Sequence, residues 1–131
     1  MVAVGRLRPP FADDVAHYRK LIGRHARLEL IEVREDEGVA RRLPPRAFVS
    51  LLHRHGQAMD SVALSRFLES RRQSGEDLCF VIGGPLGLEL QEADQRLSLG
   101  QLTLPHQLAR VILLEQLYRA HKILAGEPYH Y

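Results

Sequence analysis

Apolar and polar positions alternate along the chain in two different rhythms. Four apolar runs have the length of β-strands, at residues 2–4, 28–33, 47–52 and 78–82. The stretches between them repeat apolar residues every three or four positions, which is the spacing of an amphipathic helix. Such alternation predicts an α/β fold with a mainly parallel sheet and helices on both faces, in a single domain over residues 1–131.

Three of the predicted helices have clear signals. The first carries apolar residues at helical spacing, namely Phe11, Val15, Tyr18 and Ile22. A short charged helix follows around 36–43 and ends at two prolines. A third runs to about Gln73, with Asp60 or Ser61 as its N-cap and Leu64, Phe67 and Leu68 facing inward. Residues 53–58 are polar and are predicted to form a loop between strand and helix.

The last helix, Pro105–Leu124, is apolar on more than one side. Leu108, Val111 and Ile112 lie on one side, and Leu113, Leu114 and Leu117 lie on another. This breadth exceeds a single amphipathic stripe and predicts burial both in the chain's own core and against a second copy, with Leu113 and Leu117 on the outer face that contacts that copy. The spacing of Glu115 and Arg119 favours an ion pair between them, and such a pair needs no catalytic role.

A glycine turn follows the most apolar of the strands. Gly83-Gly84-Pro85 comes directly after residues 78–82, at the carboxyl end where parallel sheets bind ligands. Adjacent glycines can adopt positive φ and let a ligand approach the backbone. The turn lacks the residues of a P-loop and of a dinucleotide-binding fingerprint. Taken alone, it fits an ordinary tight turn equally well.

Charge and cysteine content narrow the possible classes of protein function only slightly. The net charge of +2 divides into +4 over residues 1–59 and −2 over residues 60–131. A phosphate-binding face in the first half is one reading, although arginine-rich usage also arises from coding bias. Cys79 is the single cysteine and lies in an apolar run, which predicts a buried side chain, no disulfide and a reducing compartment. No apolar run approaches a membrane span, and the N-terminus does not resemble a signal peptide.

Metal-dependent and hydrolytic chemistry find little support. His53 and His55 could in principle bind a metal, but no cysteine or carboxylate falls at a supporting spacing, and a solvated loop explains them better. No nucleophile elbow is present, and no order of residues recommends a hydrolase triad. We therefore expect no metal site.

Four stretches together resemble the RlmH family of large-subunit ribosomal RNA pseudouridine methyltransferases, which belongs to the trefoil-knot (SPOUT) class. The stretches are Val2–Gly5, Phe80–Gly87, Leu102–Val111, and Glu115–Ala120 with the closing Pro128–His130. Their order and spacing match the family from about residue 46 to the end, and the N-terminal half matches more loosely.

The resemblance implies a C-terminal trefoil knot, a homodimer and a methyl donor, S-adenosyl-L-methionine, held by the knot loops. Carried over residue by residue, the donor site comprises Leu52, Gly84, Gly100, Gln101, Leu102, Thr103, Leu104 and Pro105. The implied partner is ribosomal RNA in the large ribosomal subunit or the assembled ribosome, and the implied location is the cytoplasm. Adenine needs an apolar slot and backbone hydrogen bonds, which loops at strand ends can supply.

The implied reaction methylates ring nitrogen 3 of a pseudouridine in 23S ribosomal RNA, and this nitrogen must lose its proton. His130 is the candidate base, because imidazole exchanges protons near neutral pH. It could equally anchor the tail, since positioning alone can supply much of the rate. Tyr129 or Tyr131 could stack on an unpaired base. His106 is expected to hold the turn into the last helix.

Three positions depart from the family pattern. His53 replaces a common acidic residue, Gly56-Gln57 replaces a Gly-Lys pair, and Tyr131 stands where a basic residue is usual. These departures support two alternatives: a non-catalytic RNA-binding or ribosome-associated knot protein, and an enzyme that methylates a different RNA nucleotide. The intact glycine turn and the segment from Gly100 to Pro105 favour an active methyltransferase.

Overall fold

The computed structural model describes residues 1–129, and its centre is a five-stranded sheet in which every pair of neighbouring strands is parallel. The strands are β1 (Val2–Val4), β2 (Ile31–Val33), β3 (Phe48–Ala58), β4 (Leu78–Ile82) and β5 (Gln95–Ser98), in the spatial order β2-β1-β4-β3-β5. The helices are α1 (Phe11–Ile22), α2 (Val39–Arg42), α3 (Ser61–Ser74) and α4 (His106–Leu124), and a 3₁₀ turn spans Asp36–Gly38. The predicted α/β class with a parallel sheet is confirmed.

The two faces of the sheet are covered differently. Helices α1, α3 and α4 all lie on one face, where α4 packs between the other two. On the other face, the four-residue α2 and the segment 83–94 cover Val2, Val4, Val49, Leu51 and Val81. Both faces of the central strand β4 are therefore buried, which explains its nearly uninterrupted apolar sequence.

Helix α3 begins where its capping signal predicts. The Asp60 Oδ1 atom accepts a hydrogen bond of 2.7 Å from the backbone N–H of Ala63. The helix ends at Gly75, whose φ of 76° gives a left-handed C-cap. Leu64 and Leu68 are buried, and Phe67 is partly buried against the same core.

The second strand is shorter than the predicted run 28–33. It spans only Ile31–Val33 and pairs with β1 alone, at the edge of the sheet. Because β1 begins at Val2, residues before Ile31 have no partner strand beside them. The backbone there is held instead by the Met1 amino group, which donates to the Glu29 carbonyl at 2.9 Å.

The predicted loop at 53–58 is wrong in part, because β3 continues to Ala58. Leu52 and Gln57 both align with Leu97 of β5, so residues 53–56 leave the ladder and the pairing then resumes. Strand β5 has no counterpart in the sequence prediction. Its entry is fixed by Asp94, whose carboxylate accepts from the Val49 N–H at 2.7 Å and whose own N–H donates to the Val49 carbonyl at 2.8 Å.

The chain returns across the sheet between β5 and α4. Strand β5 is separated from β1 by β3 and β4, a distance of about 14 Å at normal strand spacing. Helix α4 nevertheless begins beside the end of β1, where His106 lies against Gly5. Residues 99–105 make this crossing over the carboxyl ends of the intervening strands, and an extended stretch of that length reaches about 23 Å.

Candidate functional site

The predicted donor residues meet at one edge of the sheet. Leu52 lies in β3, Gly84 follows β4, and the segment from Gly100 to Pro105 follows β5. Because β4, β3 and β5 are parallel neighbours, their carboxyl ends lie side by side. The sheet therefore brings together the three loops that the sequence associates with the donor.

Two of these loops are joined by hydrogen bonds. The Ser98 hydroxyl lies 2.9 Å from the Gly100 carbonyl and 3.3 Å from the Arg54 carbonyl, and it accepts from the Gly100 N–H at 3.1 Å. The Arg54 guanidinium also reaches the Thr103 hydroxyl at 3.4 Å. Gly100 has a φ of 134°, a conformation that disfavours any side chain there. The bulge 53–56 thus supports the loop after β5.

The glycine turn after β4 uses its glycines differently from the prediction. Neither Gly83 nor Gly84 has positive φ; the left-handed residue is Gly87, whose N–H donates to the Gly84 carbonyl at 3.0 Å. A Cβ atom at Gly83 would lie 2.6 Å from the Leu88 Cβ, so packing requires glycine there. A Cβ atom at Gly84 would meet the Val4 Cγ1 at 3.4 Å.

Two large apolar side chains on these loops are uncovered. Leu86 is fully exposed, and Leu102 has 80% of its surface accessible. Exposed apolar side chains are available for contact with a ligand or a partner. Leu102 was predicted as a donor residue; Leu86 was missed, although its place in the glycine turn is a signal that could have found it. The two side chains are suited to an apolar group such as a purine ring.

The start of α4 lies beside this edge. The His106 ring packs on Gly5, with its Nε2 atom 3.5 Å from the position of a Cβ at that glycine. Burial lowers the pKa of His106, and the nearby Arg110 and Arg8 lower it further. His106 is thus a neutral packing residue where the chain enters α4, in agreement with its predicted role.

One side of α4 carries a polar network that holds the C-terminal tail. The Glu115 Oε1 atom accepts from Arg119 at 2.6 Å and from the Tyr129 hydroxyl at 3.1 Å. The Arg119 guanidinium lies over the Tyr129 ring, 4.4 Å from its centroid, and Tyr118 packs edge-on at 5.1 Å. The predicted Glu115–Arg119 ion pair is confirmed.

This network determines the protonation of Tyr129. Burial, the Glu115 charge and the hydrogen bond to Glu115 together raise the pKa of Tyr129 to about 12. The Tyr129 phenol is therefore protonated at neutral pH. The predicted catalytic residue His130 lies outside the described residues.

The structure also bears on a metal site, on Cys79 and on membrane-spanning helices. The His53 Nε2 atom pairs with Glu89 at 2.7 Å, and no group of His, Cys, Asp and Glu within residues 1–129 could hold a metal ion. Cys79 is buried and free, as expected. In this same part of the chain, no helix is long and apolar enough to cross a membrane.

Two clefts lie away from the predicted donor loops. One, of about 350 Å³, separates α1 from β1 and β2. The other, of about 790 Å³, lies at the amino ends of the strands. Neither cleft is lined by Leu52, Gly84 or the segment 100–105.

A parallel sheet whose connecting segments meet at its carboxyl edge has the arrangement in which open α/β proteins bind ligands. Residues 1–130 match the family model described as "Predicted SPOUT methyltransferase", and the chain belongs to the SPOUT methyltransferase family. It is therefore a methyltransferase, and membership implies the C-terminal trefoil knot.

Curated relatives match over nearly their whole length. The ribosomal RNA large subunit methyltransferase H of Rubrobacter xylanophilus is 47% identical, over 100% of this chain and 96% of the relative. The protein of the same name from Solidesulfovibrio magneticus is 43% identical, over 100% of this chain and 97% of the relative. That of Carboxydothermus hydrogenoformans is 38% identical, over 99% and 97%.

Proposed function

We propose that this methyltransferase transfers a methyl group from S-adenosyl-L-methionine to ring nitrogen 3 of a pseudouridine in 23S ribosomal RNA of the large ribosomal subunit. Support comes from full-length relatives whose names specify large-subunit ribosomal RNA. The observation that carries the proposal is the convergence of three loops at the carboxyl edge of β4, β3 and β5. A ribosomal substrate also requires a cytoplasmic location.

The residues at this edge fit the donor. Its adenine needs an apolar surface, which Leu86 and Leu102 offer, and close access to backbone groups, which Gly84 and Gly100 allow. The proposed donor residues are the ones predicted from the sequence, namely Leu52, Gly84, Gly100, Gln101, Leu102, Thr103, Leu104 and Pro105. When bound, the donor supplies a methyl group that is already activated on a sulfonium, so no metal is needed.

The protein's own task is to orient the acceptor and remove one proton. The imide nitrogen of pseudouridine must lose its hydrogen for a new N–C bond to form. His130 is the proposed base, because it follows Tyr129 and imidazole takes up protons near neutral pH. Tyr129 is proposed to anchor the tail rather than to take a proton, since its hydroxyl donates to Glu115 and its pKa is about 12.

The homodimer remains part of the proposal, but its predicted seam changes. Leu113 and Leu117 were expected on the outer surface, and the structure buries both in the chain's own core, at 0% and 6% exposure. The partly exposed side of α4 instead carries Leu108, Ile112 and Glu115, which lie at helical spacing. We propose this side as the dimer contact.

Methyl transfer onto ribosomes that lack the modification tests the function directly. Labelled donor should introduce one methyl group per ribosome, and nucleoside analysis should identify 3-methylpseudouridine. His130→Ala should lower the rate by about 100-fold, the lower end for a lost general base, with donor affinity unchanged. Label on another nucleotide would support the alternative target. Donor or RNA binding without transfer would support the non-catalytic alternative.

Calorimetry with S-adenosylmethionine tests the donor site separately. Gly84→Val should abolish binding, because its side chain would stand where the donor passes and would also crowd Val4. Leu102→Ala should weaken binding by about tenfold through lost apolar contact, whereas Leu124→Ala, another exposed leucine, should not. Unchanged affinity in a folded Gly84→Val protein would refute this site.

A further inference from the structure

The turn after β1 is held in place by side chains from two other elements. The Gln107 amide of α4 donates to the Arg6 carbonyl and accepts from the Arg8 N–H, both at 2.8 Å. The Glu32 carboxylate of β2 accepts from the Leu7 N–H at 2.7 Å. Gln107 is itself buried. Three successive residues are thus fixed by bonds to their backbone, which leaves their side chains available.

The two arginines that this turn presents are exposed and unpaired. Among residues 1–129, neither the Arg6 nor the Arg8 guanidinium makes a hydrogen bond or an ion pair. The Glu32 carboxylate interacts electrostatically with Arg6, but its hydrogen bond is to the Arg110 guanidinium, at 2.7 Å. Asp13 and Asp14 lie in the first turn of α1, where the helix dipole stabilises them. Two unpaired cations on a rigid turn are suited to binding an anion.

The position of the turn relates these cations to the proposed reaction site. Gln107, which is hydrogen-bonded to the turn, lies two residues after Pro105, the last residue of the proposed donor segment. A Cβ atom at Gly5 would lie 3.5 Å from the His106 Nε2 atom, and one at Gly84 would lie 3.4 Å from the Val4 Cγ1 atom, so the turn lies close to both segments. The positive potential reaches this edge, because Arg110 and Arg8 add to burial in lowering the pKa of His106.

We propose that Arg6 and Arg8 form a clamp for the phosphate backbone of the substrate RNA, placed beside the donor loops so that the target base reaches them. This inference rests on the proposed function and names the contact that holds its substrate. Arginine suits the task because its planar guanidinium can bind two phosphate oxygens at once. Backbone contacts of this kind set register and orientation without reading sequence.

The experiment compares two pairs of exposed arginines. Arg6→Gln/Arg8→Gln removes the clamp, and Arg24→Gln/Arg27→Gln removes two arginines from the loop that leads to β2, at the opposite end of the strands. Binding of each protein to a fluorescent transcript of large-subunit ribosomal RNA is measured over a series of KCl concentrations. Ribosome KM, kcat and donor affinity are measured in parallel.

The Arg6→Gln/Arg8→Gln variant should bind RNA about tenfold more weakly, or worse. The slope of log binding constant against log salt concentration should fall in magnitude by about two, one for each phosphate contact. Ribosome KM should rise similarly, while kcat and donor affinity stay near wild type. An unchanged salt slope, or an equal loss in the control pair, would overturn the clamp. So would a higher KM for ribosomes with unchanged transcript binding, which would indicate a ribosomal protein as the partner.

Transcript binding tests the clamp, whereas methyl transfer tests the proposed function, so the two can fail separately. Because transcript binding requires no methyl transfer, a wild-type protein that binds RNA but transfers no methyl group contradicts the function and still tests the clamp. Charge reversal, Arg6→Glu/Arg8→Glu, should abolish transcript binding at the same donor affinity.

Discussion

The two sides of helix α4 have nearly the same apolar character and very different environments. Leu113 and Leu114 are wholly buried between α1, α3 and the sheet. Leu108 and Ile112, on the other side, are only partly covered and belong to neither core. Farther along that side, Glu115 and Arg119 hold Tyr129. One side of the helix stabilises the fold, and the other is free to carry the proposed dimer and the tail.

The comparison shows that an apolar stripe does not by itself reveal what covers it. Consecutive apolar residues 111–114 lie around more than half of the helix, so their sequence cannot distinguish core from interface. Only the packing of α1 and α3 against α4 identifies the inner side.

The largest effect is expected from a change on the inner side. Leu113→Ala should lower the free energy of unfolding by about 3 kcal/mol, and Leu113→Glu should prevent folding, because a buried carboxylate has no partner there. Ile112→Glu, its neighbour on the other side, should leave the monomer folded. Urea denaturation and thermal unfolding measure both. Equal destabilisation by the two glutamates would contradict the distinction between the sides.

A smaller effect is expected from changes on the other side of α4, which should alter dimer formation but not folding. Wild-type protein should scatter light as a dimer of the 14.9 kDa chain at micromolar concentration. Leu108→Glu/Ile112→Glu should give folded monomers, because two charges would face each other across a two-fold contact. Ile123→Glu, at the exposed end of α4, is the control and should remain dimeric. A wild-type monomer with full activity would refute the dimer.

The smallest effect concerns the tail. Glu115→Gln should lower the methylation rate by about tenfold while leaving donor affinity unchanged, since weaker bonds to Arg119 and Tyr129 would loosen the segment that leads to His130. Glu69→Gln, which breaks an exposed pair with Arg72 on α3, is the matched control and should have no effect.

Titration of Tyr129 gives a second readout of the tail. A phenol whose pKa is raised in the folded state is stabilised below its ordinary pKa of 10.0, and this contribution is lost as the pH rises towards about 12. Ultraviolet titration should therefore show one late-ionising tyrosine, and Glu115→Gln should lower its pKa. A normal pKa in wild-type protein would show that the bond is absent in solution.

The sequence located most of the elements but not all of them. Strands β1 and β4, and helices α1, α3 and α4, fall within a residue or two of their predicted bounds, since each has strong periodicity or a capping signal. Strand β5 was missed because its four residues contain a single apolar side chain, Leu97, and are set in place by Asp94 bonding to Val49. A bond between residues so far apart in sequence leaves no local pattern.

Part of the candidate site was likewise predicted from the sequence, and part was seen only in the structure. The glycine turn was predicted from its place after a strand and from the resemblance, whereas the segment from Gly100 to Pro105 was predicted from the resemblance alone, because β5 was not predicted. Three features of this edge were not predicted. They are the hydrogen bond from Arg54 to Thr103, the hydrogen bonds between Gln107 and the Arg6–Arg8 turn, and the exposure of Leu86. Each depends on the strand order, which brings distant residues to one edge.

The sequence by itself therefore determined the α/β class, the positions of the helices, the parallel sheet and the family, because these follow from local periodicity and from motifs in fixed order. The tertiary structure alone decided which side of α4 is core, which loops share an edge and which arginines remain unpaired. These depend on contacts between residues separated by as many as 106 positions, and local spacing carries no record of such contacts.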